Sequence, residues 1–151
     1  MGKRKQKMDH LFIDTSGWAS VLCPQDEFYS AFSEFMQRAK RDRQNFVTTN
    51  YVIAELVPLL SSRYHLPRKD IIELVNTVKT YTRTEIIHID QALDRDAWKH
   101  LETRSDKDWS LVDASSFIVM RRLGIARALT GDHHFTQAGF TQVPEETRRY
   151  R

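Results

Sequence analysis

The stretch His10-Leu11-Phe12-Ile13-Asp14-Thr15-Ser16 decides how the rest of the chain is read. Leu11, Phe12 and Ile13 form a short unbroken apolar run, the pattern of a strand buried in a sheet. The run stops at a carboxylate followed by two hydroxyls. Ser16 stands where an N-cap would open a first helical turn.

The same alternation continues outward. Residues 26–42 carry Phe28, Phe32, Phe35, Met36 and Ala39 at helical spacing. A short strand is expected at 46–48. Thr49 or Asn50 then caps a helix running to about residue 64, and Pro67 opens another with Ile71, Leu74, Val75 and Val78 on one face. A third strand is expected at 85–89 and a helix at 91–101. The polar run 103–108 reads as a loop. An apolar helix over 110–122 stops at Gly124. A fourth strand at 126–130 leads into Asp132, a short helix at 134–138 and a last strand at 140–143. Strands alternating with helices predict an α/β fold, a parallel sheet covered on both faces.

The chain has 151 residues, enough for one domain with its own core, and no linker divides it. The organisation expected is a basic extension over 1–9, a single domain over 10–145 and a basic tail over 146–151. Lys3, Arg4, Lys5 and Lys7 at one end and Arg148, Arg149 and Arg151 at the other are either solvated tails or phosphate contacts. The net charge of +3 permits nucleic-acid binding without requiring it. Cys23 is the single cysteine, so no internal disulfide forms, and it reads as a packing residue. No apolar run approaches membrane-spanning length, and Asp14 breaks the stretch after the basic start, so a cytoplasmic protein is expected.

The acids carry the functional reading. Asp14 and Asp132 both fall at the carboxyl ends of expected strands, where open parallel sheets bind ligands. Asp113 is flanked by apolar positions on a helix that looks mostly buried. A lone buried carboxylate is costly, so it needs a cation, N–H donors or a proton. The alternative is that Ser110 caps the helix and Asp113 is merely its third residue. Glu55 lies at the edge of an apolar arc, where a glutamate is ordinarily just solvated. Pro58 within the same helix would kink it beside Glu55. Asp108 either precedes the helix as a loop residue or is a fifth acid. Acids gathered in one crevice repel each other unless a divalent cation neutralises them, and oxygen-only ligation favours Mg2+ or Mn2+ over zinc.

At these residues the chain resembles the PIN-domain ribonucleases, in particular the VapC-type toxins of bacterial toxin–antitoxin pairs. Leu-Phe-Ile-Asp-Thr-Ser at 11–16 looks like the first acidic motif of that family and Ile-Ala-Glu-Leu at 53–56 like the second. Trp-Ser-Leu-Val-Asp-Ala-Ser-Ser-Phe at 109–117 looks like the third, and Leu-Thr-Gly-Asp-His-His-Phe at 129–135 like the fourth. The basic start is longer than the family usually shows. The resemblance implies a three-layer α/β/α sandwich around a small parallel sheet. It implies Asp14, Glu55, Asp113 and Asp132 as catalytic metal-binding acids, with Thr15, Ser16 and Thr130 supporting them. It further implies Mg2+- or Mn2+-dependent RNA cleavage leaving a 5′-phosphate and a 3′-hydroxyl, a homodimer, and an antitoxin partner.

Two other readings compete. A phosphoryl-transfer enzyme with an aspartyl intermediate at Asp14 would carry a second Asp two residues on, where Ser16 stands. A non-catalytic PIN-like RNA- or protein-binding module would not need all four acids. His133 and His134 adjoin Asp132 but lack partners at zinc-site spacing; they are surface residues of a short helix or contacts to a scissile phosphate. Arg121 and Arg122 are placed to cap the helix before Gly124. Trp18, Trp98 and Trp109 read as core or interface residues.

Overall fold

The computed structural model describes residues 10–145, so the expectations for the two basic ends lie outside the described residues. Five parallel strands form one sheet: β1 (His10–Ile13), β2 (Asn45–Thr49), β3 (Thr84–Ile87), β4 (Arg127–Leu129) and β5 (Thr141–Val143), in the order β3-β2-β1-β4-β5. Seven helices accompany them: α1 (Thr15–Leu22), α2 (Tyr29–Arg41), α3 (Asn50–Ser62), α4 (Arg68–Thr80), α5 (Gln91–Thr103), α6 (Leu111–Leu123) and α7 (His134–Gln137). In β1 the consecutive residues Leu11, Phe12 and Ile13 are all fully buried. Successive side chains of a strand point to opposite faces, so helices must cover both sides of the sheet. The architecture is the expected α/β sandwich.

Register then sets the site. Phe12 pairs with Val47 on one side and with Ala128 on the other, and Ile13 pairs with Leu129. The carboxyl ends of β1 and β4 therefore lie side by side. The chain builds outward from β1 to β3, then returns to start β4 on the opposite side. Such a reversal opens a crevice at the strand ends, because the connections leave in opposite directions.

Local chemistry explains where the helices begin. Thr49 caps α3 by accepting from the Val52 amide at 3.0 Å. α6 carries a full capping box: the Asp113 amide donates to Ser110 Oγ and the Ser110 amide donates to Asp113 Oδ2, each at 3.0 Å. Gly124 ends α6 in the left-handed conformation, φ 69°, where a side chain would be strained. Pro58 sits on the exposed side of α3, and the helix runs on through it to Ser62.

Several expectations are corrected. Asp14, not Ser16, caps α1, because its carboxylate reaches the Gly17 amide at 2.8 Å while the Ser16 hydroxyl is drawn to the strand ends. α2 starts only at Tyr29, since buried Asp26 organises the preceding turn by accepting from Ser20 Oγ, the Phe28 amide and Tyr64 Oη. Arg121 and Arg122 do not cap α6: Arg121 donates to the Ala138 carbonyl and Arg122 pairs with Asp96. Trp18 and Trp109 are core residues as expected, whereas Trp98 is 55 % exposed. Cys23 is buried, as a packing residue should be. Among the described residues no helix is long and apolar enough to cross a membrane.

Gly17 was not singled out by pattern, yet it fixes the approach of α1 to the sheet. A Cβ there would lie 2.1 Å from the Leu129 carbonyl oxygen, a backbone atom at the end of β4 that cannot swing aside. Gly17→Ala should therefore destabilise the fold by roughly 1–3 kcal/mol, the usual range for overpacking. Denaturant unfolding of the two proteins measures it, and equal midpoints would refute the close approach.

Candidate metal centre

Asp14 enters at the end of β1. Burial pushes its carboxyl up to about 7 despite bonds from Thr130, Gly17 and Ser16 that work against the shift; Asp132 adds to it. Oδ1 accepts from Ser16 Oγ at 3.0 Å and from the Gly17 amide. Oδ2 accepts from Thr130 Oγ1 at 2.7 Å. Ser16 Oγ also accepts from the Gly131 amide at 2.9 Å, so the hydroxyls of both strand ends form one network.

Glu55 arrives from the second turn of α3, half-buried, with Oε1 accepting from Thr15 Oγ1 at 2.6 Å. Its carboxyl is also raised, first by burial and then by the charges of Asp113 and Asp132. Asp113 comes from the first turn of α6 and is buried. Desolvation raises its carboxyl and the nearby charge of Asp132 adds to that, while the Ser110 amide and His134 oppose it. Asp132 follows β4, its amide donating to Thr130 Oγ1 at 2.8 Å. All four acids line one cleft of about 210 Å3, together with the apolar Leu59, Val112 and Phe135 and with Arg63.

The structure thus brings together Asp14, Glu55, Asp113 and Asp132, and places Thr15, Ser16 and Thr130 as hydrogen-bond donors to Glu55 and Asp14. Asp113 is both the capping residue and a member of the cluster, so the two readings of its role coincide. Of the two readings of Asp108 the structure matches the loop residue: it is exposed before α6 and is not among the residues lining the cleft. His134 is half-buried, not the surface residue that was one of its two readings. Its Nδ1 lies 2.9 Å from Asp113 Oδ2 and 3.2 Å from Asp132 Oδ1. Its position beside Asp132 was visible in the sequence; its contact with Asp113 was not, because that pairing spans two elements. Ser116 was missed as well. It lines the cleft one turn after Asp113, and its buried Oγ has no hydrogen-bond partner among the described residues.

This donor set fits a divalent cation. The cleft collects four carboxylates, and Arg63 is the one Lys or Arg among the residues lining it. Three of the acids are held at raised proton affinity in part by one another's charge. Hard oxygen donors suit a hard divalent cation, which would relieve both the repulsion and the desolvation. The Ser116 hydroxyl beside them is a buried polar group without a hydrogen-bond partner among the described residues.

The sequence profile of the PIN domain matches residues 11–141, nearly the whole described chain. The chain belongs to the PIN-domain family. Among curated relatives of this PIN domain, the 23S rRNA-specific endonuclease VapC20 of Mycobacterium tuberculosis is 32 % identical over 137 residues, covering 90 % of this chain and 99 % of the relative. The crystal structure of Mycobacterium tuberculosis VapC20, described as a sarcin–ricin loop cleaving toxin, superposes with a TM-score of 0.77 at 27 % identity, over 87 % of this chain and 96 % of that one. FitAcB from Neisseria gonorrhoeae, at 15 % identity and a TM-score of 0.59 over 87 % of this chain and 95 % of that one, shares the fold. This PIN domain is therefore a member of a nuclease family whose enzymes depend on a divalent metal.

Asp14 gives the metal-free protein a pH signature. Its raised carboxyl stabilises the folded chain fully below the ordinary value of 3.8, and that stabilisation is lost as pH rises through about 7. Relative to Asp14→Asn, metal-free wild type should lose melting temperature between pH 5 and pH 8, and Mn2+ should restore it in wild type alone. Parallel melting curves for the two proteins across that range would contradict the assignment.

Proposed function

We propose that this PIN domain is an endoribonuclease that uses Mg2+ or Mn2+ held by Asp14, Glu55, Asp113 and Asp132, and that it acts as the toxin of a toxin–antitoxin pair. The observation that carries this reading is the convergence of four carboxylates from four separate chain segments on one cleft at the β1 and β4 ends. A cation bound there would stabilise charge on the phosphate and favour ionisation of an attacking water.

The chain's own groups do the rest. Thr15 fixes the Glu55 carboxylate and Thr130, Ser16 and the Gly17 amide fix that of Asp14, so neither must reorganise during reaction. Leu59, Val112 and Phe135 limit water around the acids and strengthen their electrostatics. Arg63, the residue that follows α3 and also lines the cleft, would pair with a flanking phosphate of the RNA. In the hydrolysis the water oxygen bonds to phosphorus as the P–O3′ bond breaks. One water proton passes to a base and O3′ gains a proton, leaving a 5′-phosphate and a 3′-hydroxyl.

The extent of the relationship to a 23S rRNA-specific endonuclease supports large-subunit ribosomal RNA, in a structured loop, as the substrate. The further partners proposed are an antitoxin whose tail occupies the same cleft and a second copy of the chain in a homodimer, with the cytoplasm as the site of action.

The test is cleavage of total RNA and of intact ribosomes by purified protein with Mn2+ or Mg2+, with EDTA, and with Asp113→Asn in parallel. Metal-dependent fragments should appear, vanish in EDTA, and fall by roughly two orders of magnitude in the variant, the cost of losing one preorganised charge-stabilising group. No cleavage of either substrate, together with no effect of Mn2+ on melting temperature, would defeat the proposal.

A further inference from the structure

His134 is not one of the four acids, yet it holds two of them. Its backbone amide donates to Asp132 Oδ1 at 2.9 Å, and its ring Nδ1 lies 3.2 Å from the same oxygen and 2.9 Å from Asp113 Oδ2. With its proton on Nδ1 the ring donates to Asp113 Oδ2, while the hydrogen bond to Asp132 comes from the backbone amide and the ring only lies against that oxygen. Asp113 Oδ2 also accepts from the Ser110 amide. One oxygen of each acid is thereby committed, and Asp113 Oδ1 and Asp132 Oδ2 remain outside these bonds. The ring is largely enclosed, with its side chain 19 % exposed, whereas that of His133 is 61 % exposed and reaches Asp132 only at 3.9 Å.

We infer that His134 is a positioning residue for the metal centre: its ring Nδ1 holds Asp113, from α6, beside Asp132, from the loop after β4, which its own backbone amide holds, and the other oxygen of each acid is left for the cation. This rests on the metal-dependent nuclease reading above. The physical need is plain. The two carboxylates repel each other, and they belong to segments 19 residues apart that no strand pairing joins directly. One residue between them, bonded through its ring to Asp113 and through its amide to Asp132, holds both rotamers in the metal-free protein, so binding need not supply that ordering.

Substitution separates this role from two others, direct ligation and contact with a substrate phosphate. Asparagine places an amide N–H near the Nδ1 position, and glutamine places one near Nε2. Mn2+ affinity of the full chain is measured by calorimetry for wild type, His134→Asn, His134→Gln, His134→Ala and His133→Ala. The Mn2+ concentration giving half-maximal RNA cleavage is measured on the same set. Glutamine and alanine at 134 should weaken Mn2+ binding by about 10–100-fold, the usual cost of losing a group that orients a metal ligand. His134→Asn should recover most of the loss, and His133→Ala should stay within about 3-fold of wild type. The inference is overturned if glutamine rescues as well as asparagine, if all three His134 variants bind Mn2+ like wild type, or if His133→Ala is as impaired as His134→Ala. Wild type that neither binds Mn2+ nor cuts RNA overturns the nuclease reading itself, an outcome distinct from variants that merely match an active wild type.

Discussion

The hydrogen bond from Thr130 Oγ1 to Asp14 Oδ2, 2.7 Å long, joins the carboxyl ends of two neighbouring parallel strands. Much else follows from it. Parallel pairing of Ile13 with Leu129 brings the two ends level, and the bond turns that register into a fixed polar floor. Ser16 and the Gly131 amide extend the floor, and α1 can lie across it because Gly17 has no Cβ to strike the Leu129 carbonyl. Loosening this contact would release Asp14, the cap of α1 and the loop that carries Asp132 together.

That floor costs stability in the metal-free protein. Asp14 is almost fully buried, and desolvation raises its carboxyl close to neutrality. An apolar residue at the strand end would make a more stable sheet. The fold accepts a buried acid in the one place where the crevice between β1 and β4 lets ligand reach it. The other three acids are arranged at lower cost. Asp113 completes a capping box that α6 would need anyway, and Glu55 is held by a threonine of the first turn of α1. Stabilising and functional roles are thus shared by the same bonds, which explains why the bland and functional readings of Asp113 did not compete.

Electrostatic cost also accounts for the surroundings. Arg63 is the one Lys or Arg lining the cleft, too few to balance four carboxylates, which leaves the rest of that task to a cation. Phe135, fully buried, stacks edge-on against Phe117 at 5.0 Å and anchors the short α7 beneath His134. The aromatic packing under α7 is what allows a helix of four residues to hold a side chain against two acids.

The sequence by itself determined the alternation of strands and helices, the acids at two strand ends, the Ser110 and Gly124 boundaries of α6 and the order of the four acidic motifs. These are local facts: apolar periodicity, capping chemistry and chain reversal act over a few residues and are legible in the string. Only the tertiary structure decided the rest. It made Asp14 rather than Ser16 the cap of α1, since the choice depends on hydroxyl partners 114 residues away. It left Asp108 in solvent, enlisted Ser116 and His134, and fixed Gly17 as a contact point. Each of these outcomes turns on a distance between side chains or backbone atoms of different elements, and such distances are set by sheet register and helix packing, which no local pattern encodes.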